Sequence, residues 1–299
     1  MTRDQATCGY HILGRTAAVP KLAAGLYVVA TPIGNLKDIT IRALETLAGA
    51  DAIACEDTRV TRKLLGHYGI RVPLTPYHDH NAAHARPKLL ERIGAGEAIA
   101  LVSDAGTPLV SDPGYKLVHE AREAGYSVTS IPGATAVIAA LTNAGLPTDR
   151  FFFDGFLPAK AAQRQRRIGA LARIPATLIV LESGPRLAET LAALAAELGP
   201  RQAAICREMT KLHEEIRRGP LDRLARHYAE GGETRGEIVI VIHPPGQNEM
   251  LPDAEQLDAM ITEALATASV KDVASEIAAM TGLPRRDVYK RALVLAKER

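Results

Sequence analysis

The sequence predicts an α/β protein made of two successive α/β units and a small helical C-terminal domain. Three observations lead to this prediction. The chain has 299 residues, which is long enough for two domains and a small appendage. Short apolar runs alternate with helix-like segments between residues 26 and 243, a pattern typical of mostly parallel sheets covered by helices. Beyond a proline- and glycine-containing linker at 244–248, only helix-like segments follow.

The first α/β unit is expected at residues 25–146. Its predicted strands are 26–31, 51–55, 98–102 and 127–131. Its predicted helices are 39–48, 58–67, 81–93, 115–124 and 134–143. Residues 1–24 carry charges but lack the apolar core of a secretory signal, so we expect a disordered N-terminal extension there.

The second α/β unit is expected at residues 147–245, after a break in the pattern at 146–150. Its predicted strands are 151–153, 177–181, 202–206 and 237–243, and its predicted helices are 161–172, 186–198 and 221–229.

The C-terminal domain, residues 246–299, is predicted to contain two helices separated by a glycine turn. Ser269 and Asp272 form a start that resembles a capping box, and Gly282 is placed to end the first helix. The apolar residues at helical spacing are Val273, Ala274, Ile277 and Met280, followed by Val288, Ala292 and Leu295. This pattern resembles a helix-turn-helix, although many short helical hairpins share it.

Composition restricts the class of protein. No apolar run approaches the roughly 20 residues that a membrane-spanning helix needs. The three cysteines are far apart and form no CxxC pair, which is typical of a reducing compartment, so we expect a cytoplasmic protein without disulfides or zinc. His78, His80 and His84 are closely spaced, but no cysteine accompanies them, and we expect no metal.

The segment 103–114 is the most informative part of the chain. It follows the apolar run 98–102 and contains two glycines, two prolines and two aspartates. It lacks the lysine and the spacing of a phosphate-binding loop. Turns at 30–40 and 131–135 follow two other predicted strands. Because ligands bind at the carboxyl ends of strands in open α/β folds, the three turns together predict a binding crevice.

Positive charge is concentrated in two segments, although the formal net charge is only +2. Residues 159–173 contain five cations and no acid, and residues 285–299 contain six cations and two acids. Such runs are commonly solvated helix faces, but they are also typical of surfaces that contact phosphate. The candidate RNA-contacting residues are Lys160, Arg164, Arg166, Arg167, Arg285 and Arg286.

Four motifs carry a resemblance to a known family. They are ATPIGNLKDIT at 30–40, ACEDTR at 54–59, HDHN at 78–81 and SDAGTPLVSDPG at 103–114. Over about residues 25–245 the chain resembles the tetrapyrrole-methylase superfamily of S-adenosylmethionine-dependent methyltransferases. It is most similar to the branch that methylates the ribose 2′-hydroxyl of a cytidine in the decoding region of 16S rRNA. One departure is Gly184-Pro185, where that branch usually has Pro-His.

The resemblance implies a two-lobed class III methyltransferase fold with S-adenosylmethionine in the cleft between the lobes. It also implies a homodimer whose partner is 16S rRNA or the small ribosomal subunit. The residues implied in cofactor binding are Pro32, Gly34, Asp104, Ala105, Gly106, Thr107, Pro132, Gly133 and Leu181.

Transfer to a ribose hydroxyl would benefit from a general base. The candidates are Glu56, Asp57, His78 or His80, Glu182 and Lys211, and the sequence does not choose among them. Lys211 could act in this way only if its surroundings lowered its pKa.

Two other functions stay open at this point. One is methylation of a tetrapyrrole ring at carbon, as elsewhere in the superfamily. The other is a non-enzymatic regulator whose helix-turn-helix-like domain binds nucleic acid. The balance of charge in residues 253–299, eight acids against seven cations, is unfavourable for a DNA reader.

Overall fold

The computed structural model describes residues 8–246 and 254–297. The strands in chain order are β1 Cys8–Ile12, β2 Arg15–Val19, β3 Gly25–Val29, β4 Ala52–Cys55, β5 Leu74–Pro76, β6 Ala98–Val102, β7 Val128–Ile131, β8 Phe151–Phe156, β9 Thr177–Ser183, β10 Gln202–Arg207, β11 Glu215–Pro220 and β12 Glu237–Ile242. The helices are α1 Ile41–Gly49, α2 Thr58–His67, α3 Ala82–Gly94, α4 Tyr115–Glu123, α5 Ala136–Ala144, α6 Ala161–Leu171, α7 Leu187–Leu198, α8 Leu221–Ala229, α9 Ala254–Ala264, α10 Val270–Thr281 and α11 Arg285–Lys297.

Within these ranges, each helix is too short or too polar to cross a bilayer. Residues 247 and 248 of the expected linker and residues 1–7 of the expected extension lie outside the described part of the chain. The expected domain boundaries stay predictions.

The first sheet has the strand order β5-β4-β6-β3-β7 and is parallel throughout, as predicted. Every residue of the central strands β4 and β6 is buried, because helices cover both faces of the sheet. One face packs around Leu44 and Ile53, and the other around Leu89 and Leu117. The edge strand β5 was not predicted, since it has only three residues and ends in a proline.

The second sheet has the order β11-β10-β12-β9-β8 and is mixed. Only the pair β8 and β9 is parallel among its pairings. The edge strand β11 was missed in the sequence because its centre is polar, with Arg217 and Arg218 exposed.

Helix α5 joins the two units. It follows the third glycine-proline turn of the first unit, yet its buried side chains pack against the second sheet. Val137, Ala140 and Leu141 meet Ile179 and Val241 there. The turn at 131–135 is therefore held close to the second unit.

Residues 8–19 form a β-hairpin, so the expected disordered extension is wrong for this segment. Tyr10 and Val19 are buried against the core of the first unit, and the backbone N–H of His11 donates to the carbonyl of Tyr68 at 2.7 Å. The hairpin was missed because each strand has only five residues and a weak apolar alternation.

The C-terminal helices α9, α10 and α11 pack around their own core, which includes Ile261, Ile277 and Val288. The hydroxyl of Ser269 accepts from the backbone N–H of Asp272, and Gly282 ends α10 in the left-handed conformation at φ 74°, as predicted. Met280 was expected in the apolar stripe but is 69% exposed.

Candidate active site

The three glycine-proline turns meet at the carboxyl edge of the first sheet, as the sequence predicted. The backbone N–H of Thr31 donates to the carbonyl of Gly106 at 2.8 Å, and the N–H of Gly106 returns a bond to Thr31 at 3.1 Å. The hydroxyl of Thr107 donates to the carbonyl of Ala134 at 3.2 Å. Hydrogen bonds therefore tie the second turn to both of the others.

A cavity of about 340 Å³ opens between these turns and the second unit. Its apolar wall comes from the first turn and α2, its polar wall from Ser103 and Asp104, and its far side from Lys211 and Glu237 of the second unit. Among the residues expected to bind the cofactor, four line it: Pro32, Gly34, Asp104 and Ala105.

The remaining expected cofactor residues lie in different places. Gly106 and Thr107 belong to the hydrogen-bonded turn beside the cavity. Gly133 lies so close to the first turn that a Cβ atom there would be 3.0 Å from the Cβ of Ala30, and Pro132 is adjacent to it in this third turn. Leu181 packs instead against the core that surrounds α5 and does not line this cavity.

Backbone strain is concentrated in the loops around the cavity. Five non-glycine residues in the described ranges have positive φ, and four of them lie in the segments 103–114 and 207–215. They are Leu109 at 75°, Ser111 at 63°, Glu208 at 50° and Thr210 at 67°. Such conformations cost energy and persist mainly at functional sites. The sequence gives no signal for them, because none of the four is a residue typical of this conformation.

Glu56 is half-buried directly after β4. Burial raises the pKa of Glu56, and the negative charges of Asp104, Asp112, Asp79 and Asp57 raise it further. A carboxylate whose pKa lies above its usual range is a better proton acceptor. Among the expected bases, Glu56 is therefore the one best suited to this role.

Asp57 has a structural role. Its side chain caps α2 and binds Arg59, with Oδ2 at 2.6 Å from Nη2. Hydrogen bonds from the side chain and the backbone of Arg59 lower the pKa of Asp57 to about 2, so it is a weak base. The backbone N–H of Asp57 donates to Oδ1 of Asp104 at 2.9 Å, which fixes the end of β4 against the second turn.

Lys211 is not suited to act as a base. Burial alone would lower its pKa, but ion pairs with Glu208 at 2.8 Å and Glu237 at 3.2 Å raise it overall. The alkyl chain of Lys211 lies over Gly34, where a Cβ atom would be 2.5 Å from its Cγ. Lys211 therefore holds the second unit against the first turn.

Glu182 also has a structural role, because its side chain is fully buried. Its carboxylate accepts from the backbone N–H of Ser183 at 2.7 Å and from the hydroxyl of Thr190 at 2.6 Å, and it lies 3.4 Å from the guanidinium of Arg186. Because the carboxylate of Glu182 is buried and bonded to these partners, it is not available to accept a proton from a substrate.

His78 lies between β5 and α3. Its backbone N–H donates to Asn81 at 2.9 Å, and its ring lies 6.0 Å from that of His80. Nδ1 of His78 is buried and no described residue bonds to it. Across residues 8–246 and 254–297, no group of three or more histidine, cysteine or acidic side chains is placed to hold a metal ion.

The basic segment on α6 is only partly available to a ligand. Arg164 was expected to contact phosphate, but its side chain is 3% exposed and pairs with Glu189. Arg167 pairs with Asp154, with Nε at 2.9 Å from Oδ2. Ion pairs with α7 and β8 thus engage two cations of the basic run, while Lys160 and Arg166 are exposed. In the C-terminal domain, Arg285 donates to Ser275 at 2.8 Å and Arg286 is exposed.

Comparison with known proteins gives a consistent result. The family model described as tetrapyrrole (corrin/porphyrin) methylases matches residues 25–225, and the one described as RsmI C-terminal HTH domain matches residues 252–296. Ribosomal RNA small subunit methyltransferase I of Mesorhizobium japonicum is 53% identical over 92% of this chain and 93% of its own length. The protein of that name from Escherichia coli O157:H7 is 46% identical over 90% of this chain and 94% of its own.

A solved structure shows the same fold. Uroporphyrin-III C-methyltransferase from Thermus thermophilus, in complex with S-adenosylhomocysteine, superposes with a TM-score of 0.52 at 21% identity. The match covers 73% of this chain and 97% of that protein. The two-lobed fold expected from the four motifs is thereby confirmed.

Proposed function

The chain belongs to the tetrapyrrole methylase family, in its ribosomal RNA small subunit methyltransferase I branch, and we propose that it methylates the ribose 2′-hydroxyl of a cytidine in the decoding region of 16S rRNA. It is an S-adenosylmethionine-dependent methyltransferase. The observation that carries the proposal is the similarity to proteins named ribosomal RNA small subunit methyltransferase I over about nine-tenths of the chain. Glu56, whose pKa is raised, supports it as a proton acceptor directly after β4, at the carboxyl edge of the first sheet; it does not itself line the cavity.

The cavity fits S-adenosylmethionine in chemical character. Its wall combines the apolar side chains of Pro32, Ile33 and Leu64 with the carboxylate of Asp104. Such a lining suits a ligand with a flat apolar part and a cationic centre. Backbone hydrogen bonds between Thr31 and Gly106 hold the turns 31–34 and 104–107 side by side, and other main-chain groups of these turns would bind it. When bound, the cofactor supplies an electrophilic methyl group.

In this mechanism the protein contributes position and a proton acceptor. S-adenosylmethionine held by the first and second turns would supply the methyl group to the ribose oxygen and would leave as S-adenosylhomocysteine. The hydroxyl proton passes to the carboxylate of Glu56. Asp104 keeps the second turn against the end of β4 through its bond to the N–H of Asp57. This arrangement holds the reacting groups in one place, which accounts for much of the rate that an enzyme of this kind provides.

Substituting valine for Gly106 should weaken cofactor binding by tenfold or more. Gly106 has φ 76°, and the added side chain would contact Cγ2 of Ile33. Gly125 is a matched control, because it also has φ 76° but has no neighbouring atom within 4 Å of a Cβ. Both variants should lose stability on the order of 1–3 kcal/mol through backbone strain. Calorimetric titration with S-adenosylmethionine separates them: equal affinities in the two variants would contradict the assignment of the second turn.

Replacing Arg166 by alanine should weaken RNA binding. The slope of the logarithm of the binding constant against the logarithm of salt concentration should become less steep by about 0.7 for each phosphate contact that is lost. Stability should change by less than about 0.5 kcal/mol, because Arg166 is exposed. The same change at Arg164 should instead lower the free energy of unfolding by about 1.5–3 kcal/mol, because a buried charged hydrogen bond is lost. Urea unfolding and binding measured at several salt concentrations distinguish these roles. If Arg166→Ala binds RNA with the salt dependence of the parent, the assignment of α6 to the RNA-binding surface is wrong.

Two further properties are part of the proposal: the protein acts in the cytoplasm, and it is a homodimer. A monomer mass by light scattering at micromolar concentration would reject the dimer.

Labelled S-adenosylmethionine tests the choice of substrate. We expect transfer to small ribosomal subunits, or to their RNA, from cells that lack this gene, and none to a precorrin. Transfer to the precorrin alone would favour the tetrapyrrole alternative.

A further inference from the structure

A second cavity, of about 300 Å³, lies beside the candidate active site. It is formed by the start of α3 on one side and by residues 112–116, which lead into α4, on the other. Its volume is at the lower end of the range for small-molecule sites, roughly 300–1,000 Å³.

The polar groups of this cavity have both signs. Asp79 and Asp112 supply carboxylates, and Arg86 and Lys116 supply cations. Arg86 is fixed by an ion pair with Glu120, with Nε at 2.8 Å from Oε1. Burial raises the pKa of Asp112, a hydrogen bond from Ser103 opposes this, and the charge of Asp104 adds to it. The cavity therefore offers hydrogen-bond acceptors and donors together, as the edge of a nucleobase requires.

An aromatic ring stands at the cavity. Tyr115 lines the cavity and is 69% exposed. Aromatic side chains are scarce in this protein, which has only eight tyrosines and no tryptophan. Its ring is stacked with that of His119, with centroids 6.0 Å apart and planes inclined by 8°. The preceding turn is rigidly shaped: Ser111 has φ 63°, and a Cβ on Gly114 would be 2.9 Å from Cδ2 of Leu101. Exposed rings held in this way are typical platforms for unstacked RNA bases.

Glu56 follows β4 and lines neither cavity, but charges at both cavities act on it. The charge of Asp104, which lines the first cavity, acts on it, and so do those of Asp112 and Asp79, which line the second. The segment 103–114 lines both cavities, the first with Ser103 to Ala105 and the second with Asp112 to Gly114. A nucleotide with its base in the second cavity would therefore have its ribose on the side of this segment that leads to the first.

We propose that the second cavity binds the base of the target cytidine, with Tyr115 stacking on the ring and Asp112 accepting hydrogen bonds from the N4 amino group. Lys116 faces the acceptor atoms of the same base. Carboxylates are the side chains that recognise the cytosine amino group, and uracil has an oxygen in its place. The inference rests on the proposed function, since it assigns the base of the same substrate.

The test uses the full chain and small ribosomal subunits from cells that lack this gene, carrying either cytidine or uridine at the target position. Tyr115→Ala should raise the KM for subunits by roughly 5- to 150-fold, whereas Tyr115→Phe, which retains the ring, should stay near the parent. Asp112→Asn should reduce the preference for cytidine over uridine by roughly 5- to 150-fold. Affinity for S-adenosylmethionine, measured by calorimetry, should be unchanged in all three variants.

The outcomes separate this inference from the proposed function. If the parent protein does not methylate the cytidine in these subunits, the proposed function fails. If it does, but Tyr115→Ala keeps the parent KM or Asp112→Asn keeps the parent preference, the base site is wrong. A parallel loss of cofactor affinity in Tyr115→Ala and Asp112→Asn would also overturn it, because the cavity would then bind the cofactor.

Discussion

Replacing Glu56 by glutamine is expected to slow methyl transfer by about 10²- to 10⁴-fold, the range that general-base catalysis contributes. Glutamine has nearly the same size but cannot accept the hydroxyl proton. In the parent protein, kcat should rise with pH through an apparent pKa above the usual range for glutamate, because burial and four nearby aspartates raise the pKa of Glu56. Measuring kcat against pH for both proteins checks this, and the rise should be absent from the variant.

Glu56→Gln should slow methyl transfer but should make the folded protein more stable at neutral pH. A raised pKa means that the folded state binds the Glu56 proton more tightly than the unfolded state does. This stabilising contribution is present below the unfolded pKa of about 4 and is lost as pH rises through the folded pKa. Glu56→Gln should therefore melt at a higher temperature than the parent at neutral pH, and this advantage should shrink on acidification. A variant that is less stable at neutral pH and keeps its activity would show that Glu56 only supports the fold.

Replacing Glu182 by alanine is expected to lower the free energy of unfolding by about 1.5–3 kcal/mol for each hydrogen bond to its buried carboxylate that is lost. The carboxylate is fully buried, and its removal would leave the hydroxyl of Thr190 and the guanidinium of Arg186 without it. Urea unfolding measures the loss.

Activity measurements separate stability from chemistry at this position. At a temperature where Glu182→Ala remains folded, kcat should be within a few-fold of the parent with an unchanged pH profile. A loss of kcat as large as that of Glu56→Gln, with stability preserved, would return Glu182 to the list of bases. Glu182→Gln is a useful companion, because its amide can still bond to Thr190.

The sequence predicted the first unit well because its signals are local. Buried parallel strands such as β6 are continuous apolar runs, and the observed bounds of α2 and α8 agree with their apolar pattern. The side chain of Asp57 also caps the start of α2. The meeting of the three turns also followed from local motifs, since the carboxyl ends of parallel strands share one edge.

The features that the sequence could not supply depend on distant partners. Arg164 and Arg166 are two positions apart in one basic run, yet only the fold shows that Glu189 pairs with Arg164. Glu56 and Glu182 both follow apolar residues, and their different roles come from burial and from neighbours on other elements. The second cavity likewise combines Asp79 with Asp112, which belong to separate motifs.

The central claim is that this protein methylates one ribose in small-subunit RNA through Glu56. The most direct test maps 2′-O-methylation across the small-subunit RNA of cells that lack this gene, with and without the parent or the Glu56→Gln chain. We predict that one cytidine in the decoding region loses its 2′-O-methyl group, and that the parent restores it while Glu56→Gln does not. An unchanged methylation map in the deleted cells, or full restoration by Glu56→Gln, would contradict the account.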